Sequence, residues 1–214
     1  MTGYVARAVP WPLVAAGSAT VAGLMGLVAA WPWILWPLQG TAVGVLAGTV
    51  AWSMDEPAAA VVDTLPRSLR WRTAVRASTV PLVVGVWTTS LVLMRARIPA
   101  HLGFFLLQGI GAACFALAVT AWRRSHGVPE PGRAFAALVV PVATALALAR
   151  PVAGWLPVFP VWPDDRWALS QTLWCVLTAG SLVVLVAALS GRRCGGSAPP
   201  RRSAARRCHP SARR

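Results

Sequence analysis

Few side chains in this chain are equipped for chemistry. The densest set lies between Ser53 and Arg76, in the stretch SMDEPAAAVVDTLPRSLRWRTAVR. It holds three of the six acidic residues and four of the twenty basic ones. It follows a charge-free run from Ala8 to Met54. Carboxylates among guanidiniums suit charge pairing and docking. Motifs for other chemistry are missing: there is no H-E-x-x-H, no G-x-S-x-G and no spaced Cys/His pair. Cys208-His209 is a lone pair in a basic tail. No Lys occurs, so no P-loop can reach a nucleotide phosphate. The reading is of a chain that is not itself an enzyme, with no cofactor and no metal of its own. If ATP drives it, another chain hydrolyses the nucleotide.

The segments flanking this stretch explain its position. Apolar residues make up 57% of the 214, charged residues 12%, and the apolar ones come in long blocks. A soluble protein of this size could not cover so much apolar surface, so the expected solvent is lipid. Blocks near 20 residues match a hydrocarbon core of about 30 Å. The fold class is therefore all-α: a polytopic membrane domain over residues 1–190. Its six spans lie at about 12–30, 38–52, 77–94, 100–122, 134–149 and 167–189, and a basic disordered tail follows over 191–214.

Within that plan the first span is rich in small residues: Gly17, Ser18, Ala19, Thr20, Ala22, Gly23 and Gly26. They predict close packing on another helix. Gly40, Gly44 and Gly48 share one face of the second span and predict the same. Between the two, Trp31 to Pro37 carries three Trp and two Pro, and predicts a tight interfacial turn that breaks the helix twice. After the second span, Asp55 or Glu56 is placed to cap a new helix with Pro57 in its first turn. Ala58, Val61, Val62, Leu65 and Leu69 keep helical spacing and make an apolar stripe, with the Arg residues largely off it. Such a helix can lie in the interface with its Arg on lipid phosphates, or dock a soluble subunit. The two are compatible.

Further on, Gln108 and His101 are the polar members of the fourth span, and Pro141 is placed to kink the fifth. Residues 151–167, PVAGWLPVFPVWPDDRW, hold four prolines among aromatics and do not read as a span. They predict a re-entrant or interface-lying segment that must be buried in protein or held at headgroup depth. Asp164 or Asp165 is placed to cap the last span. No charged residue falls at the centre of any span, which argues against ion coupling. Thr88, Thr89, Ser90, Ser170, Gln171 and Thr172 are the polar candidates within spans; such hydroxyls bond back to their own helix or line a path.

Charge sets the expected orientation. With six spans and both termini inside, sixteen of the twenty Arg fall in the cytoplasm, as the positive-inside rule favours. The same bias accounts for the net charge of +14 without a nucleic-acid partner. The expected location is the cell membrane, multi-pass, with residues 53–76 cytoplasmic and the Pro/Trp segment outside.

Trp52 to Ala60, followed by Leu65-Pro66-Arg67-Ser68-Leu69-Arg70-Trp71-Arg72, resembles the first cytoplasmic loop of small integral membrane subunits of actinobacterial ABC transporters. Asp164-Asp165-Arg166-Trp167 looks like the last outer loop of that group. The resemblance implies an ABC-2-like exporter permease that works as a homodimer or heterodimer, with ATP and Mg bound in a separate ABC-type ATPase subunit. It would carry a hydrophobic or peptide-like substrate through the lipid bilayer. Asp55, Glu56, Pro57, Val61, Val62, Leu65, Leu69, Arg70 and Arg72 would then couple to the ATPase. Asp164, Asp165, Arg166 and Trp167 would form an outer gate or cap. The long amphipathic helix that often precedes the first span in the broader exporter class is missing here. The competing reading is a non-transport scaffold or accessory protein of an envelope or secretion complex.

Overall fold

The first apolar run folds as α1, Trp11–Ala30, with Pro10 at its N-cap and Pro12 in its first turn. Its twenty residues give a length of about 30 Å, which matches a hydrocarbon core. In this computed structural model, residues 8–56, 69–96, 102–149, 156–160 and 166–190 are described. Among them every regular element is helical and none is a strand.

After α1 the chain reverses through a short 3-10 turn, Pro32–Ile34. It then enters α2, Leu35–Ser53. The Trp/Pro stretch therefore breaks the helix once and not twice. Pro37 lies in the first turn of α2, where its missing N–H costs nothing. A short helix α3, Leu69–Ala77, turns at Ser78 and Thr79 into α4, Val80–Leu93. Pro81 in the first turn of α4 cannot supply the N–H that a continuous helix would need. Three long helices complete the set: α5, Leu102–Ser125; α6, Pro131–Leu148; and α7, Trp167–Leu189. Pro141 sits inside α6 without ending it.

Five segments are long and apolar enough to cross a membrane: α1, α3 with α4 as Arg70–Leu93, α5, α6 and α7. The sixth expected span is α2, which is not among them. Gln39, three Gly and two Thr lower its apolarity. Its place in the fold explains why that is tolerated. It packs against α1, α4, α5 and α6, so most of its surface meets protein and not lipid. At the other extreme is α7, which packs on α5 and leaves most of its length uncovered. Val183, at 69% exposure, and Val186, at 66%, stand on that uncovered face. Such surface belongs against acyl chains.

The glycine stripe on α2 is a packing face, as its spacing predicts. A Cβ added at Gly44 would come within 2.9 Å of Ala143 Cβ on α6, and one at Gly48 within 3.3 Å of Val140 Cγ2. Gly40 faces Ala147 and the ring of Phe159. Small residues on both helices let the backbones approach, which is how helices gain dispersion energy where burial from water cannot drive them together. In α1 the expectation holds only for Gly17, which meets Thr49 of α2. Its buried face is Val14, Val21, Met25 and Val28, whereas Gly23 and Gly26 face open space. With these larger side chains on the inner face, most of the small residues of α1 are turned outward.

This packing predicts opposite outcomes for two similar substitutions. Gly44→Leu must push α2 and α6 apart and is expected to lower unfolding free energy in mixed micelles by about 1–3 kcal/mol. Gly23→Leu, in open space, is expected to stay within about 0.5 kcal/mol of wild type. Equal losses would contradict the α2–α6 contact.

Candidate functional site

Two polar clusters are buried in the bundle, at opposite ends. The first is built where α2 runs out. α2 ends at Ser53 because the chain turns at Met54, with Asp55 N–H bonded to the Trp52 carbonyl. That turn aims the two acidic side chains at different helices. The Asp55 carboxylate accepts from Gly132 N–H and Arg133 N–H, both at 2.7 Å. These are orphan donors of the first turn of α6, whose own preceding residue, Glu130, makes no side-chain cap. Asp55 thus caps a helix 77 residues away. The approach is possible because residue 132 is Gly: any Cβ there would collide with the Ala51 carbonyl. Burial is the largest influence on Asp55 and holds its carboxyl above the usual range, against the lowering by those two N–H donors.

Glu56 turns the other way, into three guanidiniums. Arg72 Nη1 donates to its Oε2 at 2.9 Å, Arg124 Nη2 to the same oxygen at 3.0 Å, and Arg76 Nε lies 3.6 Å from Oε1. Arg76 also donates to the Ser53 carbonyl at 3.3 Å and to the Asp55 carbonyl. Arg124 reaches the Pro129 carbonyl at 2.6 Å. One carboxylate therefore joins the end of α2 to α3 and to the last turn of α5. Arg72 and Arg76 are a turn apart, so the buried face of α3 is its Arg face, and Arg70 points out. A second tie at this end is the hydroxyl contact of Ser53 with Thr79, at 3.2 Å. Arg133 stacks its guanidinium 5.9 Å from the Trp52 ring centroid.

The second cluster lies near the starts of α2, α5 and α7. Gln39 donates its amide N–H to Gln108 Oε1. Gln108, fully buried, donates in turn to the Val158 carbonyl at 3.3 Å. The same oxygen accepts from Ser170 Oγ at 3.1 Å and from the Trp174 indole N–H at 3.0 Å. Val158 belongs to residues 156–160, which form a bend closed by Val158 N–H to the Leu156 carbonyl at 2.8 Å. Phe159 packs beside Trp174 and Gly40. This part of the Pro/Trp segment is thus buried in protein.

The residues singled out in the sequence divide as follows. Asp55, Glu56 and Arg72 come together, buried and bonded within the fold. Arg70 is exposed, and Leu69 opens α3. Pro57, Val61, Val62 and Leu65 lie outside the described residues, as do Asp164, Asp165, His101 and the 191–214 tail. Arg166 precedes α7 and is exposed, while Trp167 packs edge-on to Phe104, at 5.2 Å between centroids, and to Phe105. Ser90 and Thr172 bond back to Val86 and Ala168 of their own helices. Ser170 does not; it reaches across to Val158. Arg76 and Arg124 read from sequence only as basic loop residues and not as site residues, and Gly132 in the first cluster, with Gln39 and Trp174 in the second, is not singled out from sequence. A lone Gln in an apolar run was the available signal for Gln39.

The first cluster predicts a large asymmetry among substitutions. Glu56→Gln removes the charge that offsets Arg72, Arg76 and Arg124 and is expected to cost about 3–5 kcal/mol of unfolding free energy. Arg70→Gln, exposed on the same short helix, is expected to cost less than about 0.5 kcal/mol. Similar values for the two would show that Glu56 is not holding the arginines. No family model, curated protein or solved structure matches the chain.

Proposed function

We propose that the chain is a membrane-embedded subunit of an ATP-driven exporter, coupled to a separate ATPase through residues 55–72. The observation that supports this best is the Glu56 clamp. Segment 57–68 leaves from Glu56 and returns at α3, and Glu56 is tied to Arg72 and Arg76 of α3 and to Arg124 of α5. A partner pressing on that segment would move α2, α3 and α5 together. In this reading Asp55, Glu56 and Arg72 transmit the force from within the fold. The docking contacts fall to Val61, Val62, Leu65, Leu69 and Arg70.

In the same reading α2 crosses the membrane among α1, α4, α5 and α6, which makes six spans with both termini cytoplasmic. The Arg bias of the loops favours the clamp end as the inner one. The substrate is hydrophobic or peptide-like, since no charged side chain lies at the middle of α2 or of the five apolar segments to compensate a charged cargo.

Two measurements test this. Purified with ATPases encoded nearby, the chain is expected to form a complex whose ATP hydrolysis depends on it. Leu65→Asp with Leu69→Asp should abolish that association while membrane insertion persists. Association unchanged by the double substitution would end the coupling proposal and favour the scaffold alternative. For orientation, Ser125→Cys and Arg166→Cys are introduced singly into a Cys-free chain, both at exposed positions. An impermeant maleimide is expected to reach position 166 from outside intact cells and position 125 only after lysis. The reverse pattern would invert the topology.

A further inference from the structure

The Val158 carbonyl is unusual in what converges on it. A carbonyl oxygen has two lone pairs, yet three side-chain donors from two helices point at this one: Gln108 from α5, and Ser170 and Trp174 from α7. The longest contact, 3.3 Å from Gln108, shows the crowding. Gln108 and Ser170 are fully buried and Trp174 is 5% exposed, all on long helices. Gln108 is held from behind by Gln39 of α2. The acceptor lies in the non-helical stretch 156–160, where Val158 N–H bonds back to the Leu156 carbonyl, Phe159 is buried and Leu156 is exposed.

We propose that Gln108, Ser170 and Trp174 form a carbonyl-recognising site inside the bundle, filled here by the chain's own Val158, and that it takes the amide carbonyls of an uncharged peptide-like ligand when residues 156–160 withdraw. Three neutral donors converging on one point, with no ion pair to any of them among the described residues, select an uncharged acceptor with more than one carbonyl. Phe159, packed 6.1 Å from the Trp174 ring and against Gly40, marks where an apolar side chain of such a ligand would lie. Bend and ligand would compete for the same donors. Withdrawal of the bend without a ligand would leave the buried Gln108, Ser170 and Trp174 donors without this acceptor, which is unfavourable. That cost keeps the site closed when empty.

The inference deepens the exporter reading, from which it takes the peptide-like cargo, but its test needs no ATPase. The full chain, 15N-labelled at its tryptophans in nanodiscs, is titrated with acetyl-Val-Phe-amide. Trp174→Phe identifies the Trp174 indole N–H resonance. A saturable shift of that resonance is expected, and hexylbenzene, apolar and without a carbonyl, should not produce it. Phe159→Ala, which loosens the bend and leaves every donor in place, is expected to lower the half-saturating peptide concentration at least threefold. Gln108→Leu should raise it about tenfold. A Trp174 resonance unmoved by the peptide in both wild type and Phe159→Ala would overturn the site. So would an equal shift with hexylbenzene. If the peptide binds and no ATPase associates, the site stands and the exporter reading falls.

Discussion

Glu56 sits where four helix ends meet, and its charge has to be matched there. A carboxylate this deeply buried is unfavourable unless paired and hydrogen-bonded, and it is paired with three guanidiniums from α3 and α5. The requirement runs both ways, because three arginines this close repel one another without an anion between them. Asp55, one residue earlier, cannot share that duty, since its oxygens are committed to the first turn of α6. Two adjacent acids thus divide the clamp end between them: one fixes α3 and α5, the other fixes α6. The position of α2, from which both acids project, sets the rest.

That dependence fits the way α2 is surrounded. In lipid, apolar burial gives helices little reason to associate, so close backbone approach and polar ties must do it. α2 supplies both. Its glycines admit α6 along most of its length, Thr49 meets α1 at Gly17, and each end carries a polar cluster. Gln39 begins the chain of bonds at one end, and Ser53, Asp55 and Glu56 make those at the other. The remaining surface of the bundle, α7 above all, is free to be uniformly apolar.

The polar clusters also differ in kind. At the clamp end the ties are ionic, with Arg72, Arg76 and Arg124 turned inward and Trp52 and Trp122 exposed around them. At the other end they are neutral amide, hydroxyl and indole groups. A neutral hydrogen bond is the cheaper solution inside a bundle, because its members need only one partner each and no compensating charge. An irregular segment such as 156–160 can exist at that depth because its inward carbonyl is met by side chains.

The helices themselves were legible in the sequence, since hydropathy and length follow directly from residue type. So was the packing role of Gly40, Gly44 and Gly48, because spacing alone puts them on one face. Burial of Pro157, Phe159 and Pro160 in protein was one of the two outcomes that the irregular backbone of the Pro/Trp segment allowed. Partner choice was not legible. Asp55 followed by Glu56 and Pro57 reads as the start of a new helix, yet the Asp55 carboxylate caps Gly132 and Arg133, far along the chain. Arg72 and Arg76 read as arginines off an apolar stripe, placed to meet lipid phosphates or a partner, and they form the buried face of α3. The small residues of α1 read as its packing face, and most of them point outward. In each case residue type determined what a side chain needs: a donor, a counter-charge, a close neighbour. Which distant group meets that need depends on how the helices are arranged in space. Only the tertiary structure decides that.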